Sequence, residues 1–298
     1  YTTAQSQTRR SEWRTSSFTG ITRMAEDDGP GFSTWYGQAE KPPLVDDILS
    51  FPKGAQAGTC LHEMMERADF SLMACDDEKA AAARLALTVR EVEKHLSLPE
   101  KEAASAAAGA AAMIRDLLNA EVAPGVTLKD VPKSARSAEL EFLIPISASL
   151  TAERLVRELK AMDPKYDFGT LRPEDRKGFL TVFIDLAFSA GGRFYVLDWK
   201  SNKISPEASG YTEKAMSAEM DVHLYRLQYL IYWVALRRFL QVRLGSHWRD
   251  EMIGGSIYVF LRGVRAGTTT AANPQGIVFD PVRPEVIRRM DDLFAGRA

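Results

Sequence analysis

Cysteine is scarce in this chain. Cys60 and Cys75 are the only two among 298 residues, and they lack the close spacing of a zinc site. Two thiols also do not provide the disulfide framework of a small secreted domain. We therefore expect both cysteines to be reduced thiols of an intracellular protein.

Three further features are missing from the sequence. It contains no run of 18 apolar residues and no signal peptide, so it indicates neither a membrane span nor secretion. It contains no phosphate-binding loop of the form G-x-x-x-x-G-K-[ST], which excludes an ATP motor within these residues. The formal net charge is −2, so any contact with nucleic acid must rely on local basic patches.

The composition is that of a globular protein, with 45% hydrophobic and 26% charged residues. Residues 1–55 have few periodic apolar positions, and we interpret them as a linker or tether with anchoring aromatics in Trp13–Ile21. Because the chain opens at Tyr1 rather than Met, we expect a fragment of something longer. Residues 56–298 are predicted to form one domain.

The periodicity of the apolar residues predicts the order of helices and strands in that domain. The predicted elements are a helix with Thr59 as N-cap, helices at 76–96 and 100–120, a strand at 138–146, a helix capped by Thr151, a β-hairpin within 178–203, a long helix at 212–243, a strand at 254–264 and a helix at 283–295. This order is typical of an α/β domain built around a mixed sheet of at least four strands flanked by helices.

The hairpin carries two acidic residues in apolar surroundings. Gly191 and Gly192 accept the positive φ angles of a tight two-residue turn, so paired residues should have numbers that sum to 383. This register sets Asp185 opposite Asp198, with Lys200 on the same side of its strand. Like charges across a sheet destabilise it unless something compensates, and a hard divalent cation such as Mg²⁺ is one such compensator. A solvated polar edge with a local salt bridge is the alternative.

Three other groups of residues are candidates for the functional site, and whether they belong to it depends on the fold. His62 lies on the first helix of the domain, where a lone histidine is more often a surface or core residue than a ligand. Gln228 and Tyr232 lie one turn apart in a polar-aromatic stripe, which is either the edge of the core or a surface that contacts DNA. Glu139 and Glu141 share one face of a strand and are either solvated or indirectly involved near a metal.

Six blocks of the sequence resemble one known family. Asp185 followed by Asp198-Trp199-Lys200 matches the pattern of the PD-(D/E)xK nuclease superfamily. The blocks GTCLHEMMERADF, AELEFLIPI, GFLTVFIDLAF, GGRFYVLDWKSNKI, YRLQYLIYWVALRRFL and GGSIYVFLRGV stand in the order found in the C-terminal nuclease domains of exodeoxyribonuclease V beta subunits (RecB). The resemblance covers about residues 56 to 296 and implies a restriction-endonuclease-like core.

The resemblance also implies a metal site. Its ligands would be His62, Asp185, Asp198 and the backbone carbonyl of Trp199, which stands where the family often has tyrosine. Mg²⁺ is favoured over Zn²⁺ because most of these ligands are oxygens, and Mn²⁺ or Ca²⁺ can substitute in binding.

The remaining matched positions would act on water and substrate. Lys200 would orient or deprotonate the attacking water; burial has to lower its pKa for it to act as a base, and otherwise it stabilises charge in the transition state. Gln228 and Tyr232 match a Q-x-x-x-Y pair that lies near the substrate in the family.

At the level of function, the resemblance implies a Mg²⁺-dependent nuclease domain of a bacterial, cytoplasmic helicase-nuclease (the RecBCD type). Such an enzyme hydrolyses phosphodiester bonds of DNA ends during double-strand break repair and recombination. The implied partners are a single DNA strand fed to the site and the RecC-like and RecD-like subunits of a heterotrimer. A catalytically weak or inactive nuclease-like module that binds DNA or partner subunits is the alternative.

Overall fold

A six-stranded mixed sheet separates two helical layers in the computed structural model, which describes residues 14–17, 46–147, 149–169, 171, 178–270 and 272–297. The helices are α1 (Ala55–Arg67), α2 (Phe70–Met73), α3 (Glu78–His95), α4 (Glu100–Asn119), α5 (Ala152–Met162), α6 (Glu213–Val222), α7 (Tyr225–Leu244) and α8 (Pro284–Ala295). The strands are β1 (Arg14–Ser17), β2 (Glu121–Ala123), β3 (Val126–Thr127), β4 (Arg136–Ile146), β5 (Gly178–Ala190), β6 (Arg193–Lys200), β7 (Ile253–Phe260) and β8 (Ile277–Pro281).

The main sheet has the strand order β1-β5-β6-β7-β8, and β4 pairs with β5 as well, while β2 and β3 form a separate hairpin. β6 and β7 are parallel, whereas β4–β5, β5–β6 and β7–β8 are antiparallel. The predicted α/β class with a mixed sheet of at least four strands is confirmed. Among the described helices, none is long and apolar enough to cross a membrane.

Each face of the sheet has its own apolar core. On one face, α1 to α4 bury residues such as Leu61 and Leu117 against Leu186 of β5. On the other face, α5 to α8 bury residues such as Trp233 against Ile184 of β5. Because α7 is the central helix of its layer, it is apolar on most sides, and Tyr229 through Leu236 are all buried.

Several predicted elements differ from the observed ones. α1 begins at Ala55, with Gly54 as N-cap, and the Thr59 hydroxyl donates to the carbonyl of Ala55 within the helix. His62 therefore lies in the middle of α1 rather than near its N-terminus. The predicted long helix is divided between Val222 and Tyr225, because Leu224 adopts a left-handed backbone conformation with φ 54°.

β8 is the third difference, since the sequence indicated a loop for this region. Its five residues lie at the edge of the sheet and pair with β7 from Gly255 to Val259. A strand this short carries too few residues to establish an alternating pattern against its Gly- and Pro-rich flanks.

Part of the predicted tether packs against the domain. Ile48 and Phe51 are 2% exposed. The buried guanidinium of Arg262 holds this segment, because it donates to the carbonyls of Ile48, Phe51, Pro52 and Ser201 at 2.6–2.9 Å. Trp13 and residues 18–21, the rest of the predicted anchoring segment, lie outside the described residues, and Arg14–Ser17 pair as β1 with β5. The domain boundary at residue 55 stays a prediction.

Candidate active site

The candidate site lies where the pairing of the central strand is interrupted. β4 pairs with one edge of β5 from Gly178 to Phe188. The other edge pairs with β1 at residues 178–181 and with β6 at residues 186–190. Residues 182–185 have no ladder partner on that edge within the described part of the chain. Asp185 stands at this gap in the sheet.

The predicted hairpin register is confirmed, but its acidic pair is not part of the ladder. The paired residues run from Ala190–Arg193 to Leu186–Leu197, and every pair sums to 383. Both turn glycines have positive φ, at 56° and 76°. The ladder ends one pair before Asp185 and Asp198. Instead, the Asp185 carboxylate accepts a hydrogen bond of 2.8 Å from the backbone N–H of Trp199.

His62 reaches this carboxylate from α1. Its Nδ1 lies 3.4 Å from Oδ2 of Asp185, and its ring also interacts with the backbone of Trp199. Burial lowers the pKa of His62, with the charge of Lys200 adding to that effect against the opposing charge of Asp198. The imidazole is therefore neutral at neutral pH, which is the form that binds metals.

The carboxylates of Asp185 and Asp198 repel each other electrostatically. Burial raises the pKa of Asp185 well above its ordinary value, and the charge of Asp198 raises it further. Asp198 is itself buried, with 3% exposure. Two buried carboxylates that repel each other resist simultaneous ionisation unless a cation joins them. The site thus has an excess of negative charge and a set of mainly oxygen ligands.

Lys200 provides the positive charge beside this pair. Its Nζ lies 2.5 Å from Oδ1 of Asp198 and 3.9 Å from the centre of the Tyr225 ring. Burial disfavours the ammonium, but the charges of Asp198, Tyr225 and Asp185 outweigh it and raise the pKa of Lys200 above its ordinary value. The lysine is therefore protonated at neutral pH.

Gln228 and Tyr232 project from α7 toward these same two side chains. The Tyr232 hydroxyl donates to Oδ2 of Asp198 at 2.9 Å, and the Gln228 Oε1 accepts from the Lys200 ammonium at 3.2 Å. Burial and the charge of Asp198 raise the pKa of Tyr232 well above its ordinary value, so the phenol keeps its proton and acts as a donor. The stripe on α7 holds the acidic and basic groups in place.

Tyr258 is a site residue that the sequence reasoning missed. It pairs with Asp198 across β6 and β7, and its hydroxyl donates to Oε1 of Gln228 at 2.8 Å. This bond and the one from Lys200 fix the orientation of the amide. The only sequence signal was a tyrosine within the apolar run IYVFL, which is typical of a core strand.

The two glutamates of β4 differ in their relation to the site. Glu139 has a left-handed φ of 51°, and its charge contributes to the raised pKa of Asp185. Burial raises the pKa of Glu139, and the charges of Glu66 and Asp198 add to the effect. Glu141 instead pairs with Phe183. Glu139 thus belongs to the acidic surroundings of Asp185.

A second cluster of metal-ligand type lies between α1 and α3. Ligand atoms of Glu63, Glu91 and His95 lie within 4.8 Å of one another. However, Arg67 contacts both glutamates at 2.6–2.7 Å, and Lys94 pairs with Glu63 at 2.5 Å. The negative charge of this cluster is already neutralised by side chains, which makes it an ion-pair network between α1 and α3.

Comparison with known proteins relates this chain to a family of nucleases. The family model of the PD-(D/E)XK nuclease superfamily matches residues 43–297. RecBCD enzyme subunit RecB of Escherichia coli (strain K12) is 33% identical over 297 residues, which are 95% of this chain and 23% of the relative. The proteins of the same name from Haemophilus influenzae and Mycolicibacterium smegmatis are 29% and 28% identical, over 83% and 89% of this chain and 19% and 27% of their own lengths. The chain thus spans about a quarter or less of these relatives.

Proposed function

The chain belongs to the PD-(D/E)XK nuclease superfamily, and on that premise we propose that it is a Mg²⁺-dependent deoxyribonuclease domain that hydrolyses phosphodiester bonds of DNA. The observation that carries this proposal is the convergence of His62, Asp185 and Asp198 on the gap beside β5. One neutral imidazole and two repelling carboxylates make a ligand set that suits a hard divalent cation.

The proposed metal ligands are His62, Asp185, Asp198 and the backbone carbonyl of Trp199. The raised pKa of Asp185 supports this assignment, since burial and the nearby charge of Asp198 both disfavour its ionised form, which a bound cation would stabilise. A bound divalent cation supplies positive charge that stabilises the charge developing on a phosphodiester and lowers the pKa of a water molecule.

The other side chains of the site have roles that follow from their contacts. Lys200, held between Asp198, Gln228 and the Tyr225 ring, presents a fixed ammonium that stabilises negative charge on the reacting phosphate. Its raised pKa favours this role over that of a general base. Tyr232 positions Asp198 through its hydroxyl, and Gln228 positions the ammonium of Lys200.

The relatives support a proposal for the larger assembly. They are named as subunits of a RecBCD enzyme and extend well beyond this chain. We propose that residues 1–55 tether the nuclease domain to a helicase part, and that RecC-like and RecD-like subunits complete a cytoplasmic bacterial heterotrimer. Its role would be to process DNA ends in double-strand break repair and recombination, as an exodeoxyribonuclease V.

The direct test is cleavage of linear DNA by the purified 298-residue chain, together with calorimetric titration of Mg²⁺. We expect Mg²⁺ to bind at one site per chain and cleavage to stop in a chelator, with Mn²⁺ restoring it. Binding of DNA without any Mg²⁺ or Mn²⁺ binding would instead identify an inactive nuclease-like module.

The raised pKa of Asp185 predicts how Mg²⁺ binding depends on pH. In the metal-free folded state this carboxyl holds a proton that the unfolded chain loses near its ordinary pKa of about 3.9. Metal-free stability therefore falls as the pH rises through the folded pKa. Since Mg²⁺ must displace this proton, the gain in Tm on adding Mg²⁺ should grow as the pH rises from that ordinary value through the raised pKa of Asp185.

Thermal melting with and without Mg²⁺ across this range measures that gain. The matched variant is Asp185→Asn, which has no proton to displace, so its smaller gain in Tm should not change with pH. A pH-independent gain in the unmodified chain would contradict the assignment of Asp185 as a ligand.

A further inference from the structure

The ring of Tyr225 lies directly against the charge of Lys200. The Nζ atom is 3.9 Å from the centre of this ring and 5.2 Å from the centre of the Tyr258 ring. A cation over the face of an aromatic ring is attracted to it, and the attraction is larger where water is excluded. Because the Lys200 side chain is largely buried, a shift of the Tyr225 ring would loosen the hold on the ammonium.

Tyr225 is itself held both at its ring and at its hydroxyl. The ring stacks on His223, with 5.2 Å between the ring centres and 20° between the planes. It also stacks on Tyr258, with 5.5 Å between the centres. The Tyr225 hydroxyl donates to Oδ1 of Asn202 at 3.3 Å. The orientation of this ring thus depends on side chains that come from three different segments of the chain.

One carboxylate joins His223 and Asn202. Oε1 of Glu219 accepts from Nδ2 of Asn202 at 2.6 Å and lies 3.1 Å from Nε2 of His223. The hydrogen bonds from His223 and from Asn202 lower the pKa of Glu219 below its ordinary value. The carboxylate is therefore ionised at neutral pH, the form that only accepts hydrogen bonds. Glu219, His223, Tyr225 and Asn202 form a closed ring of contacts beside Lys200.

The backbone between the two stacked rings departs from a helix at this point. Residues two apart in a continuous helix point to different sides and do not face each other. His223 and Tyr225 are two apart, but Leu224 between them is left-handed, with φ 54° and ψ 30°. This conformation is unfavourable for a residue with a β-carbon and persists only where the surrounding structure holds it. The break between α6 and α7 thus allows the His223 ring to stack on Tyr225.

We propose that Glu219, His223 and Asn202 are positioning residues, which fix the Tyr225 ring against Lys200 and thereby hold its ammonium where it stabilises charge on the reacting phosphate. The proposal rests on the proposed nuclease function and adds to it three residues that act through Tyr225. A displacement of about 1 Å at a reacting group can lower a rate by about a hundredfold, so loss of this support should be visible in kcat.

A purely structural role of the same residues is the alternative. Glu219 and His223 are four residues apart at the C-terminal end of α6, where such a pair also stabilises the helix. In that case the loss of Glu219 would act on the fold, and its effect on kcat would not depend on the residue at position 225. The two roles differ in whether the effects of two substitutions combine independently.

The test is a double-mutant cycle on Mg²⁺-dependent cleavage of linear DNA by the full 298-residue chain. Glu219→Ala should lower kcat about fivefold, and Tyr225→Leu should lower it about thirtyfold. Calorimetry should show unchanged Mg²⁺ affinity for both. Because Glu219 acts through Tyr225, the double variant should have the kcat of Tyr225→Leu alone. Glu213→Ala is the matched control, since Glu213 is an exposed glutamate on the same helix, and it should leave kcat unchanged.

Two further variants make the result independent of any one substitution. Tyr225→Phe keeps the ring and should retain most of the kcat that Tyr225→Leu loses. His223→Ala, at a side chain that is 28% exposed, gives a second cycle with the same expectation. An unchanged kcat for Glu219→Ala, or an equal loss with Tyr and with Leu at position 225, would overturn the positioning role while leaving the nuclease function in place. Absence of cleavage by the unmodified chain would instead overturn the nuclease function, and this role with it.

Discussion

Replacing Asp198 with Asn is expected to lower Mg²⁺-dependent cleavage of linear DNA by about a thousandfold or more while the fold survives. The carboxylate of Asp198 contacts both Lys200, at 2.5 Å, and Tyr232, at 2.9 Å. Asn has the same shape, so packing in the buried strand is retained. What is lost is one carboxylate ligand and the negative charge that holds the ammonium of Lys200.

The Asp198→Asn substitution should also change the pKa of the neighbouring Asp185. Without the charge of Asp198, one of the three causes that raise the pKa of Asp185 disappears, so Asp185 should titrate closer to its ordinary range. Circular dichroism should show an unchanged fold, and calorimetry should show weaker Mg²⁺ binding. The matched control is Asp76→Asn, whose side chain is 82% exposed and which should cleave at the unmodified rate. Full activity of Asp198→Asn would show that the assigned site is wrong.

Replacing Lys200 with Met is expected to lower cleavage by about a hundredfold to a thousandfold, with Mg²⁺ binding retained. The side chain is only 12% exposed and packs against the Tyr225 ring, which Met can still contact. The variant removes a fixed positive charge but no proposed metal ligand. The effect should therefore appear in kcat and not in the Mg²⁺ affinity.

A second substitution at this position distinguishes the two roles of Lys200. If it stabilises charge, Lys200→Arg should retain a measurable part of the activity that Lys200→Met loses, because a guanidinium keeps the positive charge. If it deprotonates water, Arg should be as inactive as Met, since a guanidinium does not give up its proton in a protein. Lys203→Met is the control: this lysine donates to the carbonyl of Leu49 instead of pairing with a carboxylate. A Lys200→Met variant with the unmodified rate would exclude both roles.

The elements with strong local signals were predicted well. The turn glycines gave the hairpin register correctly, since a two-residue loop leaves only one way to pair its strands. Thr151 was correctly identified as an N-cap, and its hydroxyl accepts from the N–H of Arg154. The break at Leu224 was missed, because apolar periodicity continues through it and only the backbone conformation of one residue separates α6 from α7.

The structure brings the predicted site residues close together, but the geometry of the site could not be predicted from the sequence. The register argument placed Asp185 opposite Asp198, yet the ladder stops at Leu186–Leu197. The gap arises because β1 and β6 share one edge of β5 without meeting, and β1 comes from a region that the sequence presented as tether. Tyr258 could not be assigned to the site, because its role depends on the parallel pairing of β6 with a strand that is distant in sequence.

The sequence by itself determined the α/β class and the hairpin and indicated the candidate site residues, because these depend on local periodicity, turn stereochemistry and residue type. Only the tertiary structure decided that His62 reaches Asp185 and that Lys200 is held charged between Asp198 and Gln228. Those facts depend on burial and on contacts between distant segments, and burial is what shifts the pKa values of these groups.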